Sequence, residues 1–431
     1  MTKLGAKNVT TTSGIGEMWR HKRVLGASLI GTAVEFYDFY IYATAASLIF
    51  PSLFFPSSSP SAQLMASYGS LALAFLARPL GAAVFGHYGD RVGRKATLVT
   101  SLMLMGGCTL AIGFLPTHAQ IGWWAPLILC LLRFGQGLGL GGEWGGAALL
   151  AVENAPPGWR ARFGMFPQLG APVGFIAANG LFLILGTMLS EDEFFAWGWR
   201  LPFLGSAVLV FLGLWVRLKL TETPEFAAAQ ADAPPPAMPL ATLLKEHLGA
   251  AIAGTFAVVA CFAIYYIATA FALGYGTTAL KIDRSAFLSV QLGAILFMAV
   301  SIVIAGWWAD RTSPTRVLAW GCVGTIFMGL IFGPMIGTGA LLPIFAILSL
   351  ALFLMGFVYG PLGAYLPALF PIQLRYTGAS FSFNLGGIIG GALAPIVATW
   401  LIAVQGVGLV GLYMSAAAAI SLGGLWFTSR R

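Results

Sequence analysis

From residue 24 onward the chain repeats one pattern, in which long apolar runs are broken by short polar turns carrying glycine, proline or charge. A helix rises ~1.5 Å per residue and the hydrocarbon layer is ~30 Å thick, so about 20 mostly apolar residues cross a bilayer. Twelve runs meet that length, at about 24–50, 64–86, 97–115, 122–150, 163–187, 201–218, 249–273, 286–308, 317–337, 341–370, 377–403 and 407–428. A membrane β-barrel needs short strands of alternating polarity. These runs are continuous, and the pattern predicts an all-α membrane protein of twelve transmembrane helices.

The pattern breaks at 219–248, where TETPEFAAAQADAPPPAMPLATLLKEH is rich in Pro, Ala and charge. This segment reads as a cytoplasmic linker between two six-helix halves, 24–218 and 249–428, with an arm at 1–23 and a tail at 429–431. Internal echoes support the division. Gly86, Asp90 and Arg91 recur as Gly306, Asp310 and Arg311 at an offset of 220 residues, and Gln168-Leu-Gly recurs as Asn384-Leu-Gly at an offset of 216. Parallel six-helix repeats with a central site between them are one way in which secondary transporters are built.

Composition then excludes whole classes. The 431 residues are 58% apolar and 9% charged, against about 25% charged in a soluble domain, so membrane lipid is the expected partner. The net charge of +8 would suggest nucleic acid in a soluble chain, but its position along the sequence makes it a topology signal. Lys3, Lys7, Arg20, Lys22, Arg23, Arg91, Arg94, Lys95, Arg160, Arg162, Arg217, Lys219, Lys245, Arg311, Arg316, Arg375, Arg430 and Arg431 all fall on one side, which places both termini in the cytoplasm. Only Arg200, Lys281 and Arg284 fall on the other. The arm is basic like a secretory leader, yet the run that follows is too long and carries two acids, so no cleavage is expected. Asn8-Val-Thr10 has the form of a glycosylation acceptor but lies in that cytoplasmic arm.

Cys108, Cys130, Cys261 and Cys322 sit singly in apolar runs and read as small buried hydrophobes. His21, His87, His118 and His247 lie near the ends of runs without metal-ligand spacing. No metal, cofactor or catalytic constellation is expected. Gly137-Leu-Gly139-Leu-Gly141-Gly142 contains GxGxxG, but no strand precedes it, so it reads as a face for close helix approach.

Several blocks carry a more specific signal. The loop after span two reads Gly86-His-Tyr-Gly-Asp90-Arg91-Val-Gly93-Arg94-Lys95, and Gly306-Trp-Trp-Ala-Asp310-Arg311 is its second-half copy. Glycines there let helix ends approach, and an aspartate beside bases or a helix N-terminus makes a latch. Here the sequence resembles the major facilitator superfamily, whose second-to-third loop carries GxxxDRxGRK. Further blocks narrow the resemblance to its metabolite:proton symporter family. They are Glu35-Phe-Tyr-Asp38-Phe-Tyr, Ala77-Arg78-Pro79, Arg133-Phe-Gly-Gln136-Gly, Gly142-Glu143-Trp144, Pro167-Gln168-Leu-Gly-Ala-Pro172, Tyr359-Gly-Pro-Leu-Gly, Leu369-Phe-Pro371 and Arg375-Tyr-Thr-Gly. Departures cluster in the second half, with Ala368 where the family has an acid and Ser313-Pro314-Thr315 where it has Gly-Arg-Arg. The resemblance implies H⁺-coupled import of a small metabolite, an organic acid or a zwitterion, by a monomer of the bacterial inner membrane.

Charges inside spans supply the candidate chemistry, because a charge facing lipid costs at least ~2.5–3.5 kcal/mol and so turns inward. Glu35, Asp38, Arg78, Arg133 and Glu143 all lie in the first half. Three acids and two arginines leave one surplus carboxylate, and desolvation favours its protonated form. Arginine does not release a proton in this range, so the carrier is an acid, with Asp38 and Glu35 ahead of Glu143. The resemblance adds Arg133, because its span-four block is implicated in proton coupling. Arg78, Arg133 and Arg200 present planar forks to a cargo carboxylate. Tyr37, Gln136 and Gln168, with Tyr265, Tyr266, Gln291, Tyr359 and Asn384 from the second half, are further wall candidates. Arg200 also fits an interfacial anchor beside Trp197 and Trp199.

The competing reading within transport is an antiporter, but Gly170-Ala-Pro172-Val-Gly174 stands where the superfamily's antiporters carry GxxxGPxxGG. A channel or a membrane-embedded enzyme ranks lower.

Overall fold

The computed structural model describes residues 14–57, 59–92, 94–141, 143–218 and 239–429, excluding the side chains of 14, 15, 17, 86–98, 216 and 217. Span one is Lys22–Leu48, span two Pro60–Val92, span three Arg94–Phe114, span five Arg160–Met188 and span six Leu201–Leu218. Span four runs as Trp124–Leu140 and then Glu143–Glu153. In the second half, span seven is Leu248–Thr278, span eight Arg284–Arg311, span nine Pro314–Ile336, span ten Leu341–Ala368, span eleven Ile372–Gln405 and span twelve Gly408–Ser429. Among the described residues, eleven helices are long and apolar enough to cross a membrane, and span three contributes a shorter apolar helix over Val99–Phe114.

Each half is a bundle, and the halves meet along spans one, two, four and five on one side and seven, eight, ten and eleven on the other. The span-five to span-eight contact is the most extensive between them. Span seven is almost wholly enclosed, whereas Val208, Phe211 and Trp215 of span six and Phe327 and Leu330 of span nine point outward. Apolar side chains in that position are satisfied by acyl chains rather than by protein.

Glycines set the close approach of spans two and four. A Cβ on Gly137 would fall on the backbone of Ala74, and one on Gly141 would fall on the backbone at Arg78 and Ala82. The GxGxxG run is thus a helix-packing face. Overpacking a well-filled contact costs about 1–3 kcal/mol, so Gly137→Val is expected to lower the melting temperature of the detergent-purified protein. Gly107→Val, at a glycine with nothing within 4 Å, is the matched control, and equal melting of the two would refute the packing role.

Spans seven and eleven are interrupted by π-helical turns at Ile267–Phe271 and Ile388–Ala392. Such turns free backbone carbonyls from the i→i−4 ladder and recur at functional sites.

Three sequence expectations change, and one falls outside the described residues. Trp199 is fully buried against Phe50, Phe54 and Phe203, so it is a core residue and not part of an interfacial belt; Trp197 is exposed. Within the expected linker, Pro239–Glu246 forms a helix whose Leu240 and Leu243 pack on Phe370 and Ala251. Leu240, Leu243 and Leu244 share one face at helical spacing, which is enough to dock it. Cys108 and Cys130 are only half-buried, while Cys261 and Cys322 are buried. The latch side chains of Gly86, Asp90, Arg91, Gly93 and Arg94 lie outside the described set, as do His87 and Asn8.

Candidate functional site

The first-half charges converge. Span one presents Glu35 and Asp38 one turn apart on its buried face, span two brings Arg78, and span four brings Arg133; all four are buried. A single ring organises the arginines. The guanidinium of Arg133 lies 4.3 Å from the centroid of Phe39 and that of Arg78 4.6 Å from it. Arg133 also packs over Tyr42 at 4.0 Å and Arg78 over Phe75 at 4.7 Å. Aromatic faces stabilise desolvated cations by roughly 2 kcal/mol, which helps to hold like charges on one ring.

A continuous polar chain connects Arg133 to Asp38. Arg133 Nη1 donates to Gln136 Oε1 (2.9 Å), Gln136 Nε2 donates to Thr109 Oγ1 (2.7 Å), and the single hydrogen of Thr109 Oγ1 is shared between Asp38 Oδ2 (3.2 Å) and the Met105 carbonyl (3.0 Å). The chain is fully buried, but it does not use every atom. Asp38 Oδ1, Arg133 Nε and Nη2, and Arg78 Nε have no hydrogen-bond partner among the described residues. Unsatisfied buried donors and acceptors are costly, which sets these four atoms apart from the satisfied groups around them. Asp38 lies within electrostatic reach of both Arg133 and Glu143. Glu35 lies within reach of Arg78 and of Tyr359.

Glu143 Oε1 lies 2.6 Å from the Ser101 hydroxyl, which also reaches the Gly139 carbonyl (2.6 Å). The other candidates divide. Gln168 of span five donates to the Tyr359 carbonyl of span ten (3.0 Å), and Asn384 of span eleven donates to the Gly141 carbonyl of span four (2.7 Å). The echo of Gln168-Leu-Gly in Asn384-Leu-Gly is therefore a pair of reciprocal ties between the halves. Trp144 joins them, donating to Gln168 Oε1 (3.2 Å) and stacking on Phe383 at 3.8 Å. Tyr265 and Tyr266 reach the first half directly, against Tyr40 and Phe39.

Two candidates lie elsewhere. The Tyr37 hydroxyl donates to the Pro202 carbonyl (2.8 Å) and so binds span one to span six. Arg200 donates to the carbonyls of Gly113 and Leu115 at the end of span three, far along the helix from the central charges. Arg200 thereby satisfies carbonyls that the C-terminal end of span three leaves open.

Both ends of the interface are shut. At the basic end Asp310 caps span five from the opposite half, accepting from the backbone N–H of Ala161 (2.8 Å) and of Arg162 (3.0 Å), with Arg162 Nε 3.3 Å from its Oδ2. Trp159 and Trp307 enclose the Arg162 guanidinium at 4.1 and 4.4 Å. Arg311 is exposed and takes no part in that contact. At the other end Ser47 and Tyr68 donate to the Ala270 carbonyl (3.0 and 2.7 Å), and Arg284 pairs with Glu191 (2.9 Å).

Several of these residues escaped sequence reading. Thr109, Ser101 and Thr44 are isolated hydroxyl residues in apolar runs, a pattern shared with many ordinary helix positions. Arg162 counted only as a topology charge. Phe39 and Tyr42 are two of many aromatics in span one.

Comparison with known proteins places this arrangement. Residues 24–238 match the family model described as sugar (and other) transporter. The chain is 50% identical over 411 residues to the inner membrane metabolite transport protein YhjE of Escherichia coli strain K12, covering 94% of this chain and 93% of that one. It is 36% identical to the shikimate transporter of the same strain, covering 89% and 88%. Among solved structures, the proton:xylose symporter XylE bound to 6-bromo-6-deoxy-D-glucose superposes with a TM-score of 0.71 at 15% identity, covering 94% of this chain and 95% of that one. At that identity the likeness is one of fold.

Proposed function

Since this chain belongs to the major facilitator superfamily and is a membrane transporter, we propose that it couples import of a small carboxylate-bearing metabolite to H⁺ by alternating access. The observation that carries this reading is the buried chain from Arg133 through Gln136 and Thr109 to Asp38, with open atoms at both ends. Its logic is charge balance. Glu35, Asp38 and Glu143 against Arg78 and Arg133 leave one surplus negative charge in a desolvated interior. A cargo anion arriving at the free guanidinium donors deepens that surplus, so its binding favours protonation of a carboxylate. Linkage is reciprocal, and a proton already bound strengthens cargo binding equally. Anion and proton therefore travel together, which is symport. An antiporter would need the cargo to displace the proton.

In this reading the basic end faces the cytoplasm, in a bacterial inner membrane, and each six-helix half moves as a unit. The relatives' names agree with metabolite transport, and shikimate is itself a carboxylate. The test is uptake by proteoliposomes under an imposed pH gradient, screened over organic acids and betaines. Accumulation that follows the gradient and collapses with a protonophore is expected; accumulation only when the gradient is reversed would establish antiport instead.

Arg78 gives a sharper handle. Its planar fork offers paired donors that a lysine ammonium does not reproduce. Arg78→Lys is expected to raise KM about tenfold, the worth of roughly one charge-assisted hydrogen bond, with a smaller change in the maximal rate. An unchanged KM in initial-rate uptake would remove Arg78 from the cargo site.

A further inference from the structure

Between the arginine pair and the Ser47–Ala270 closure lies a small cavity lined from both halves by Tyr40, Thr44, Phe175, Thr269, Ala270 and Gln291, among others. It has room for about one water molecule. Apart from the Tyr40 hydroxyl, its polar side chains share a property that follows from hydrogen accounting. Gln291 Nε2 donates to the carbonyls of Ala268 (3.1 Å) and Thr269 (2.8 Å), which the π-helical turn of span seven exposes. Both amide hydrogens are thereby spent, and the side-chain orientation is fixed. Gln291 Oε1 is left as a buried acceptor, in a residue 1% exposed, with no partner among the described residues.

The threonines behave likewise. Thr44 Oγ1 donates to Asn179 Oδ1 (2.6 Å) and Thr269 Oγ1 to the Tyr265 carbonyl (2.6 Å). Each hydroxyl has a single hydrogen, so both oxygens can only accept from anything in the cavity. No acidic or basic side chain lines it.

We infer that Gln291 is a specificity-determining residue whose fixed carbonyl oxygen selects cargo bearing a hydroxyl at the end opposite its carboxylate. The inference rests on the reading of the protein as a carboxylate carrier, with the arginines taking the anionic end. Neutral acceptors suit a neutral donor; a permanent cation would find no counter-charge here. A cargo without a donor leaves Gln291 Oε1 buried and unmatched, which makes discrimination arise from the site's own unpaired atom. The cavity in this closed state is too small for a cargo, so the selecting contact forms as spans seven and eight draw away from span one.

The test uses the full-length reconstituted protein and two matched pairs of probes, 4-hydroxybutyrate against butyrate and 4-hydroxycyclohexanecarboxylate against cyclohexanecarboxylate. Counterflow exchange is measured for each acid over a range of concentrations. The expected result is a KM about tenfold lower for the hydroxylated member of a transported pair. In Gln291→Met the gap closes, through a rise in KM for the hydroxylated acid alone. Because Gln291 also braces the π-helical turn, ligand-induced thermal stabilisation of the wild-type protein provides an independent readout, with a larger shift expected for the hydroxylated member. Equal KM values and equal shifts in the wild type, or a gap retained in Gln291→Met, would overturn the inference and leave the carboxylate reading intact. If no acid of either pair exchanges or stabilises, the carboxylate reading fails and this inference falls with it.

Discussion

Asp38→Asn abolishes accumulation against a gradient while counterflow exchange continues. The asparagine keeps the size of the side chain and still accepts from Thr109 Oγ1, so the hydrogen-bonded chain from Arg133 survives in form. What disappears is the only part of that chain able to hold and release a proton, because Gln136 and Thr109 do not titrate and Arg133 does not deprotonate near neutral pH. The expected loss is therefore complete for proton-driven uptake, and the readout is the ratio of inside to outside cargo with and without an imposed gradient. Glu143→Gln separates the alternatives. That carboxylate contacts the Ser101 hydroxyl and acts on Asp38 only through space, so the variant should slow transport without uncoupling it. Normal accumulation in Asp38→Asn, together with uncoupling in Glu143→Gln, would transfer the role to Glu143.

Asp310→Ala shifts the balance between closed and open states at the basic end. Asp310 joins the halves by capping span five, where N–H groups of the first turn have no partner within the helix and carry the positive end of its dipole. It accepts from two of them and faces Arg162, whose guanidinium Trp159 and Trp307 enclose. Breaking a largely buried charge contact by removing one partner costs about 3–5 kcal/mol. Partial solvation at this end reduces that figure, and a shift of about 2–3 kcal/mol would change the state ratio by roughly a hundredfold. Ser380, packed against Gly145 across the halves, reports the change: Ser380→Cys, in a background lacking the native cysteines, should react with a maleimide much faster once Asp310 is gone. Labelling at an unchanged rate would show that other contacts hold this end shut. Transport should fall in the same variant, since a carrier biased to one state completes fewer cycles.

The sequence carried the architecture because lipid leaves few alternatives. Backbone groups in hydrocarbon must pair within each segment, so run length alone located twelve spans close to their observed limits, and the echo of Gly86-Asp90-Arg91 in Gly306-Asp310-Arg311 divided them into halves. The cost of an unpaired charge in lipid similarly turned Glu35, Asp38, Arg78, Arg133 and Glu143 inward, where the structure sets both arginines on Phe39, keeps Glu35 and Asp38 on one buried helix and brings Glu143 against Ser101. The repeated Leu-Gly motif was visible as a period, but its meaning was not. Only the packed halves turn Gln168 and Asn384 into reciprocal ties on Tyr359 and Gly141.

What the sequence by itself determined was membership, span count and the list of costly charges, since each depends on residue type and local spacing. Tertiary structure decided the partners. Tyr37 and Arg200 share the chemistry of the central residues, yet one satisfies Pro202 and the other the end of span three. Thr109 looks like an ordinary helix residue and Gln291 like one of several wall candidates, yet the approach of spans one, three, four, seven and eight makes one a link in the polar chain and the other a buried, unpaired acceptor. The physical reason is that hydrogen bonds act over about 3 Å, while residues brought to that distance here stand tens to hundreds of positions apart. Periodicity reports which face of a helix turns inward; it does not report which atom waits there.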